Sequence, residues 1–397
     1  MKCLAIDGGN PAIKSLKPFY TIGKDEIAAA IAVLERGPLS GFLGGNKEGG
    51  RNVRILEERF CEIFNVKHAI SCNSATSGLL IACMATGVNS KSQVIVPCYT
   101  MSATAAVPAF LGAELKFGDI DEGTFNLNHF PITRPHTVIV TNLFGHPAGL
   151  DDMRLTCNEQ GAYMIEDNAQ AIMAMEGSKY AGTIGHIGVF SFNVHKHLQC
   201  GEGGVCVTND DRLAHNMRMA RNHGELAGGH PGLNLRMTEL EAAVAIAQLE
   251  RRKEIVESRI ELANNISSIV AQYAPGIEIP TIKENYIHSF YCWAGKIKYD
   301  RKWYVAALQA EGLPITAGYM KPLYHLNAFK KFASPTPIAD KVESEIVLIE
   351  TCAIDPSKTQ FRAIREAFEK VGSAYVKMQR RRSLDELTEE GEKLRLY

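Results

Sequence analysis

Features that mark several common protein classes are missing from this 397-residue chain. Its 43 lysines and arginines are matched by 44 aspartates and glutamates, so no basic excess exists to attract nucleic acid or anionic membranes. The ten cysteines form no C-x-x-C pair, which favours buried reduced thiols over a disulfide framework. No apolar run is long enough to cross a membrane, and the apolar part of MKCLAIDGGNP is too short for a signal peptide. We therefore expect a soluble cytoplasmic protein.

The motifs of several enzyme classes are also missing. The chain has no G-x-x-x-x-G-K-[ST] loop, no G-x-G-x-x-G at a strand-to-helix turn, no H-E-x-x-H and no G-x-S-x-G. The twelve histidines show no spacing typical of metal ligands, so we expect no metal site. These absences argue against the usual phosphate-loop, dinucleotide, zinc-protease and serine-hydrolase sites.

What is present is a regular alternation of strand and helix patterns. We predict strands at 68–71, 93–96, 115–119, 137–142 and 162–166, a neighbouring strand pair at 188–192 and 204–208, and helices at 24–36, 53–64, 75–86 and 100–111. Strands that alternate with helices are typical of a mostly parallel sheet covered on both faces. The predicted fold class is therefore α/β.

Changes in the secondary-structure pattern along the chain suggest three parts. Proline and glycine break any pattern in residues 1–26, which we interpret as an irregular arm, and residues 27–265 form the predicted large domain. Residues 266–397 form the predicted smaller α+β domain, and the boundary falls inside a helical pattern that runs from 237 to 271. In the smaller domain we predict a strand over 286–297, helices over 301–311 and 361–371, and a separate charged terminal helix that begins with a capping box at 383–386.

Three side chains with complementary chemistry follow predicted strands. Asp167 ends one apolar run, Ser191 lies near the end of another, and Lys196 comes just beyond it. A pyridoxal phosphate (PLP) enzyme needs an amine for the cofactor aldehyde, a carboxylate for the pyridine nitrogen and a hydroxyl for the phosphate. Residues 73–78 (NSATSG) follow a strand and open a helix, so they either cap that helix or cradle a phosphate. The nearby hydroxyl and amine favour the phosphate interpretation.

Several ordered segments resemble the sugar aminotransferases of PLP fold type I, often called the DegT/DnrJ/EryC1/StrS family. The resemblance extends from about Leu4 to Val371, and its motifs are LEERFCEIF, NSATSGL, VIVPCYT, GAELKFGDID, EDNAQA, FSF-x-x-x-K, GEGG and NLRMTELEAAVAIAQLER. It implies a PLP-dependent transferase fold with a mostly parallel, seven-stranded sheet, helices on both faces and a smaller α+β carboxy-terminal domain. It also implies a homodimer with shared active sites.

The resemblance implies a role for each matching residue. Lys196 would bond to the cofactor and move a proton, Asp167 would pair with the pyridinium nitrogen, and Gln170 would lie near the phenolic oxygen. The phosphate contacts would come from Ala75, Thr76, Ser191 and, from the partner subunit, Asn234. Substrate contacts would come from Tyr319 and Lys321.

The chain also departs from the family pattern at three positions. Met101 stands where an aromatic residue usually covers the pyridine ring, although Tyr99 could substitute for it. Asn142 replaces a common histidine and His186 a common aspartate, which puts the substrate pocket in doubt.

The implied reaction is transfer of an amino group, with glutamate or glutamine as donor, to a keto sugar that is usually linked to a nucleotide. A keto cyclitol is an alternative acceptor, and another PLP reaction, such as a lyase or desulfurase, or a regulatory role without catalysis, is an alternative function. Some relatives with histidine in place of the lysine are dehydratases, but here the fifth residue after Ser191 is Lys196, which is the aminotransferase register.

Overall fold

The computed structural model describes residues 3–42, 46, 48–128, 130–147, 149–224 and 231–394, and side chains up to residue 382. The strands are β1 (His68–Cys72), β2 (Gln93–Pro97), β3 (Glu114–Gly118), β4 (Thr137–Thr141), β5 (Tyr163–Asp167), β6 (Met175–Glu176), β7 (Lys179–Tyr180), β8 (Ile187–Ser191), β9 (Gly204–Thr208), β10 (Ile277–Glu278), β11 (Tyr286–Ile287), β12 (Trp293–Ile297), β13 (Ile315–Ala317) and β14 (Ile346–Ile349). The helices are α1 (Lys24–Arg36), α2 (Arg51–Phe64), α3 (Ala75–Ala85), α4 (Ala103–Phe110), α5 (Leu150–Gln160), α6 (Asp211–Arg221), α7 (Glu239–Glu250), α8 (Arg252–Tyr273), α9 (Arg301–Ala310), α10 (Pro337–Glu345) and α11 (Lys358–Leu394).

A seven-stranded sheet in the order β1-β9-β8-β5-β4-β2-β3 forms the centre of the molecule. The pairs β8–β5, β5–β4, β4–β2 and β2–β3 are parallel, whereas β1–β9 and β9–β8 are antiparallel. The strands β4 and β8 are buried at every position, as expected for apolar runs inside a sheet covered on both faces. The predicted α/β class and mostly parallel sheet are confirmed.

A second core surrounds the four-stranded sheet β10-β12-β14-β13. Apolar side chains of α8, α9 and α11 pack on this sheet, and Leu4 and Ile13 from the predicted amino-terminal arm join them. The fully buried Glu311 secures the arm, because its carboxylate oxygens accept hydrogen bonds from Ala5 N at 2.8 Å and Ala12 N at 2.9 Å. Lys370 neutralises this carboxylate at 2.6 Å.

Helix α8 belongs to both parts of the molecule. Ile255 and Val256 in its first half pack in the core beside β8 and β9, whereas Ile266 and Val270 pack in the second core. The predicted domain boundary near residue 266 falls within this helix, and the division into three parts remains a prediction.

Two predictions for the smaller domain are wrong. The predicted strand over 286–297 is two strands in different sheets, since β11 pairs with β6 and β12 pairs with β10 and β14. Between them Phe290 has a left-handed φ of 52°, which no continuous strand can contain. The predicted terminal helix at 383–386 is not separate, because α11 runs through it without a break. An S-x-x-E pattern is equally compatible with a helix interior, where residues i and i+3 are neighbours.

Helix α1 has the predicted bounds, and most of its large apolar side chains face outward, although Val33 is buried. Ile27 is 55% exposed and Leu34 is 60% exposed, whereas Glu26 is buried. The carboxylate of Glu26 accepts hydrogen bonds from Gly23 N at 2.7 Å and Gln248 Nε2 at 2.6 Å. The apolar stripe of α1, defined by Ile27, Ile31 and Leu34, is therefore open on this single chain.

Within the described part of the chain, no helix is both long and apolar enough to cross a membrane. The same residues contain no cluster of histidine, cysteine and acidic side chains that could hold a metal ion.

Candidate active site

A cavity of about 380 Å³ opens at the carboxyl ends of β4, β5 and β8 and at the amino end of α3. This edge is where open α/β sheets bind their ligands. Of the residues predicted for the site, eight line this cavity: Ala75, Thr76, Met101, Asp167, Gln170, Ser191, Lys196 and Tyr319.

The other two predicted residues lie outside the cavity. Asn234 is exposed, forms a bridge with Asn222, and accepts a hydrogen bond from Arg236 Nε at 2.9 Å. Its predicted role is to reach the phosphate site of a partner subunit, and that role requires an exposed position on the single chain. Lys321 is also exposed and is not among the residues that line the cavity.

Lys196 reaches the cavity from a turn that follows β8. The turn is held by Lys196 N, which donates to Asn193 O at 2.9 Å, and by His195 N, which donates to Asn193 Oδ1 at 3.2 Å. The Lys196 Nζ atom lies 4.4 Å from the centroid of the Tyr291 ring. Burial lowers the pKa of Lys196, and the negative charge of Asp167 opposes that effect. A lysine with a lowered pKa is more often a neutral nucleophile.

Asp167 ends β5 and points its carboxylate into the cavity. Its Oδ2 accepts a 2.7 Å hydrogen bond from Thr104 Oγ1 in the first turn of α4, and its Oδ1 accepts one from Ala169 N at 3.3 Å. Burial raises the pKa of Asp167, while these two hydrogen bonds and the charge of Lys196 oppose the rise. A cationic ring nitrogen beside this carboxylate would further favour its ionised form.

The side-chain amide of Gln170 has a fixed orientation. Phe144 N donates to Gln170 Oε1 at 2.7 Å, so the amide nitrogen is left to donate to Tyr319 OH at 2.9 Å. Burial raises the pKa of Tyr319 to about 12, so its phenol is neutral at physiological pH. This hydrogen bond joins the segment after β5 to the segment after β13.

The amino end of α3 is built to accept an anion. Ser74 caps the helix by accepting a hydrogen bond from Ser77 N at 3.1 Å. The amides of Ala75 and Thr76 have no acceptor within the helix, because they lie in its first turn. Gly204 lies against this turn, and a Cβ atom on it would be only 2.8 Å from Ala75 N. Gly204 also pairs with Ser191 between β9 and β8, which places the serine hydroxyl at the same end of the cavity.

These donors fit the phosphate of PLP, and the remaining groups fit the rest of the cofactor. Asp167 is suited to a protonated ring nitrogen and Lys196 to an aldehyde. Thr141 also lines the cavity, and its buried Oγ1 has no hydrogen-bond partner among the described residues. A buried hydroxyl without a partner is unfavourable unless a ligand supplies one.

The structure assigns different surroundings to the positions that depart from the family pattern. Met101 lines the cavity and is 49% exposed, whereas Tyr99 is fully buried and does not line it, so the proposed substitution by Tyr99 has no support. His186 lies outside the cavity, where its Nδ1 accepts from Met164 N at 2.9 Å. Asn142 lines the cavity, and its amide donates to Asn168 Oδ1 at 2.8 Å and to the buried Glu166 at 3.2 Å.

Sequence reasoning missed two side chains that contact predicted residues of the site. Tyr291, which faces Lys196, was placed within a regular strand, and Thr104, which holds Asp167, was placed only within a helix. No local pattern marks Thr104 as a partner of Asp167, because Thr100, four residues earlier, lies before α4 begins. No local pattern marks Tyr291 either.

Comparisons with known proteins agree with this geometry. The family model described as the DegT/DnrJ/EryC1/StrS aminotransferase family matches residues 21–355. The UDP-2-acetamido-2-deoxy-3-oxo-D-glucuronate aminotransferase of Pseudomonas aeruginosa is 32% identical over 307 residues, which cover 75% of this chain and 85% of that protein. The GDP-perosamine synthase of Caulobacter vibrioides is 28% identical over 320 residues, which cover 77% and 84% of the two chains. A crystal structure of a DegT DnrJ EryC1 StrS aminotransferase from Brucella abortus superposes with a TM-score of 0.78 at 26% identity, covering 88% of this chain and 95% of that one.

Proposed function

Because this chain belongs to the DegT/DnrJ/EryC1/StrS aminotransferase family, we propose that it uses PLP to convert a nucleotide-linked keto sugar into an amino sugar. The observation that carries the proposal is the convergence of Lys196, Asp167 and the amino end of α3 on one cavity. The two relatives named above act on nucleotide-linked sugars, which supports the acceptor class. Glutamate or glutamine is the proposed amino donor.

PLP would supply an aldehyde that bonds to an amine and a pyridinium ring that delocalises negative charge. The protein's own residues would do the rest. Lys196 Nζ would be the amine and would carry the proton to and from the substrate carbon. Asp167, fixed by Thr104, would keep the ring nitrogen protonated, and the oriented amide of Gln170 would donate to the phenolic oxygen.

Two readouts test the cofactor and the reaction separately. Borohydride treatment of the PLP-loaded protein should leave a stable adduct on the peptide that contains Lys196, and Lys196→Ala should have neither adduct nor turnover. A panel of nucleotide-linked keto sugars and inososes, with product mass as the readout, should then identify the acceptor. An adduct at another lysine would refute the role of Lys196. Turnover of small α-keto acids alone would refute the sugar acceptor.

We also propose that the enzyme is a homodimer in which Asn234 reaches the partner's phosphate site. The open apolar stripe of α1 and the exposed position of Asn234 support an assembly of two copies. Mixing Lys196→Ala with Asn234→Ala should restore about a quarter of wild-type activity. About half of the dimers would contain one copy of each variant, and one of the two sites in each mixed dimer would carry neither substitution. A monomer in sedimentation experiments, or no restored activity, would contradict the shared site. The ten free cysteines support the cytoplasmic location that we propose.

A further inference from the structure

Lys196 faces an aromatic ring as well as a carboxylate. Its Nζ atom lies 4.4 Å from the centroid of the Tyr291 ring, within the range of an attractive cation–π contact. The negative charge of Asp167 also acts on this amine, and the Tyr291 ring is the direct contact that the structure gives it. Tyr291 also lines the cavity beside Tyr319.

The Tyr291 backbone is fixed from both sides of the cavity. From the small domain, Thr351 Oγ1 donates to Tyr291 O at 2.8 Å. From the segment after β8, His197 Nε2 donates to Ser289 O at 2.8 Å, and Ser289 N donates to Gly145 O, in the segment after β4, at 2.9 Å. Because His197 directly follows Lys196, one contact fixes the backbone that carries the ring to the backbone that carries the amine.

Burial keeps the supporting groups neutral. It lowers the pKa of His197 to about 4, so this imidazole is a neutral donor at physiological pH, and it raises the pKa of Tyr291 well above its usual range. Lys196 is thus next to a neutral ring rather than a phenolate. The titratable groups that influence the pKa of Lys196, or whose pKa it influences, are Asp167 from β5, Cys292 ahead of β12, Cys352 after β14, and His197. Tyr291 contacts the amine through its ring.

We propose that Tyr291 is a positioning residue whose ring face holds the Lys196 amine whenever that amine is not bonded to the cofactor. This inference rests on the proposed function. A transaminating lysine must leave and return to its covalent bond in every cycle, and between these events a long flexible side chain would otherwise sample many rotamers. A cation–π contact at a partly buried site favours the held ammonium by about two- to thirtyfold.

The proposal is tested by weakening the negative charge on the face of the ring in steps while the shape of the ring is kept. Tyr291→Phe keeps the ring, and phenylalanines with one, two or more fluorines at position 291 weaken its attraction for cations step by step. The first readout is the pH dependence of covalent PLP attachment to the cofactor-free protein, followed by visible absorbance. The ring stabilises the ammonium form of Lys196, so each weakening should lower the proton affinity of the amine, by up to about tenfold. The midpoint of PLP attachment should then move to lower pH.

The second readout separates positioning from folding. In single-turnover reactions of the pyridoxamine-loaded enzyme, the rate should fall with each added fluorine while the KM for the acceptor stays within about twofold. Tyr291→Leu should resemble the most fluorinated variant, and thermal unfolding should show that Tyr291→Phe folds like the wild type. A midpoint that moves as much in Tyr291→Phe as in Tyr291→Leu would show that the hydroxyl matters and would overturn the proposal.

A further result would also overturn it, namely a midpoint and single-turnover rate that do not respond to fluorination. That result, together with a normal Lys196 adduct, would leave the proposed function intact. No adduct on Lys196 in the wild-type protein would instead overturn the proposed function and this inference together. The adduct measurement therefore distinguishes the two failures.

Discussion

Replacing Gly204 with alanine should selectively damage the predicted phosphate site. The added Cβ would lie 2.8 Å from three backbone atoms, namely Ala75 N, Ser74 C and Ser74 O. Ordinary contacts of a Cβ atom begin at 3.4 Å, so the Ser74–Ala75 turn or strand β9 must move by about 0.6 Å. Gly204 pairs with Cys72 on one side and with Ser191 on the other, so a shift of β9 would also displace the donors around the phosphate.

The expected magnitude follows from the hydrogen bonds at stake. A hydrogen bond to a charged group contributes about 1.5 to 3 kcal/mol, and the loss of one weakens PLP binding by about 10- to 100-fold. Overpacking should also lower the free energy of unfolding by about 1 to 3 kcal/mol. Titration of the cofactor-free protein, followed by absorbance, measures the first effect, and urea unfolding measures the second.

Two controls make this prediction sharp. Pyridoxal lacks the phosphate, so its much weaker binding should be almost the same in Gly204→Ala and in the wild type. Gly123→Ala adds a Cβ in a place where the nearest atom is 3.4 Å away, and it should change neither quantity. If Gly204→Ala folds normally and binds PLP within about twofold of the wild type, the reasoning that places the phosphate at this turn is wrong.

Three further predictions concern groups around the cavity. Thr104→Val removes the hydroxyl that donates to Asp167 while keeping the side chain's shape, so we expect kcat to fall by about tenfold or more, with Thr104→Ser near the wild type; equal activity of both would contradict this role. Acidification from pH 6.5 towards 4 should lower the free energy of unfolding, because His197 has a pKa of about 4 when folded and takes up its proton near 6.5 when unfolded; urea unfolding of His197→Gln should lack up to about 3 kcal/mol of this loss. Tyr319→Phe removes the hydroxyl that accepts the hydrogen bond from the Gln170 amide, and it should raise the KM for the keto substrate. An unchanged KM in steady-state kinetics would count against a substrate contact by Tyr319.

The central sheet could be predicted from sequence because its strands are short apolar runs bounded by breaks in pattern. The strand pair β8 and β9 was within one residue of its predicted place, and β4 and β5 were equally clear. Local patterns failed where the chain changes sheets. Nothing in residues 286–297 marks the left-handed Phe290 that ends one pairing and begins another. The continuity of α11 depends partly on distant contacts, since Arg382 and Gln379 both bind Asp300.

The candidate site divides in the same way. Asp167, Ser191 and Lys196 could be predicted because chemistry at a strand end is visible as spacing in one stretch of chain. Tyr291 and Thr104 could not, because each reaches its partner through tertiary packing over long sequence separations. The surroundings of His186 likewise became clear only from the fold, which places it just before β8, outside the cavity.

The buried carboxylate of Glu311 has a practical implication for protein engineering. It accepts hydrogen bonds from the backbone of Ala5 and Ala12, so deleting the first dozen residues would remove two hydrogen bonds from a buried carboxylate and leave it with its ion pair to Lys370. The loss of Leu4 would also leave a gap in the core that this side chain shares with Ile13. Trimming at that end is therefore a change to the interior, and a shortened variant with poor solubility would say nothing about catalysis.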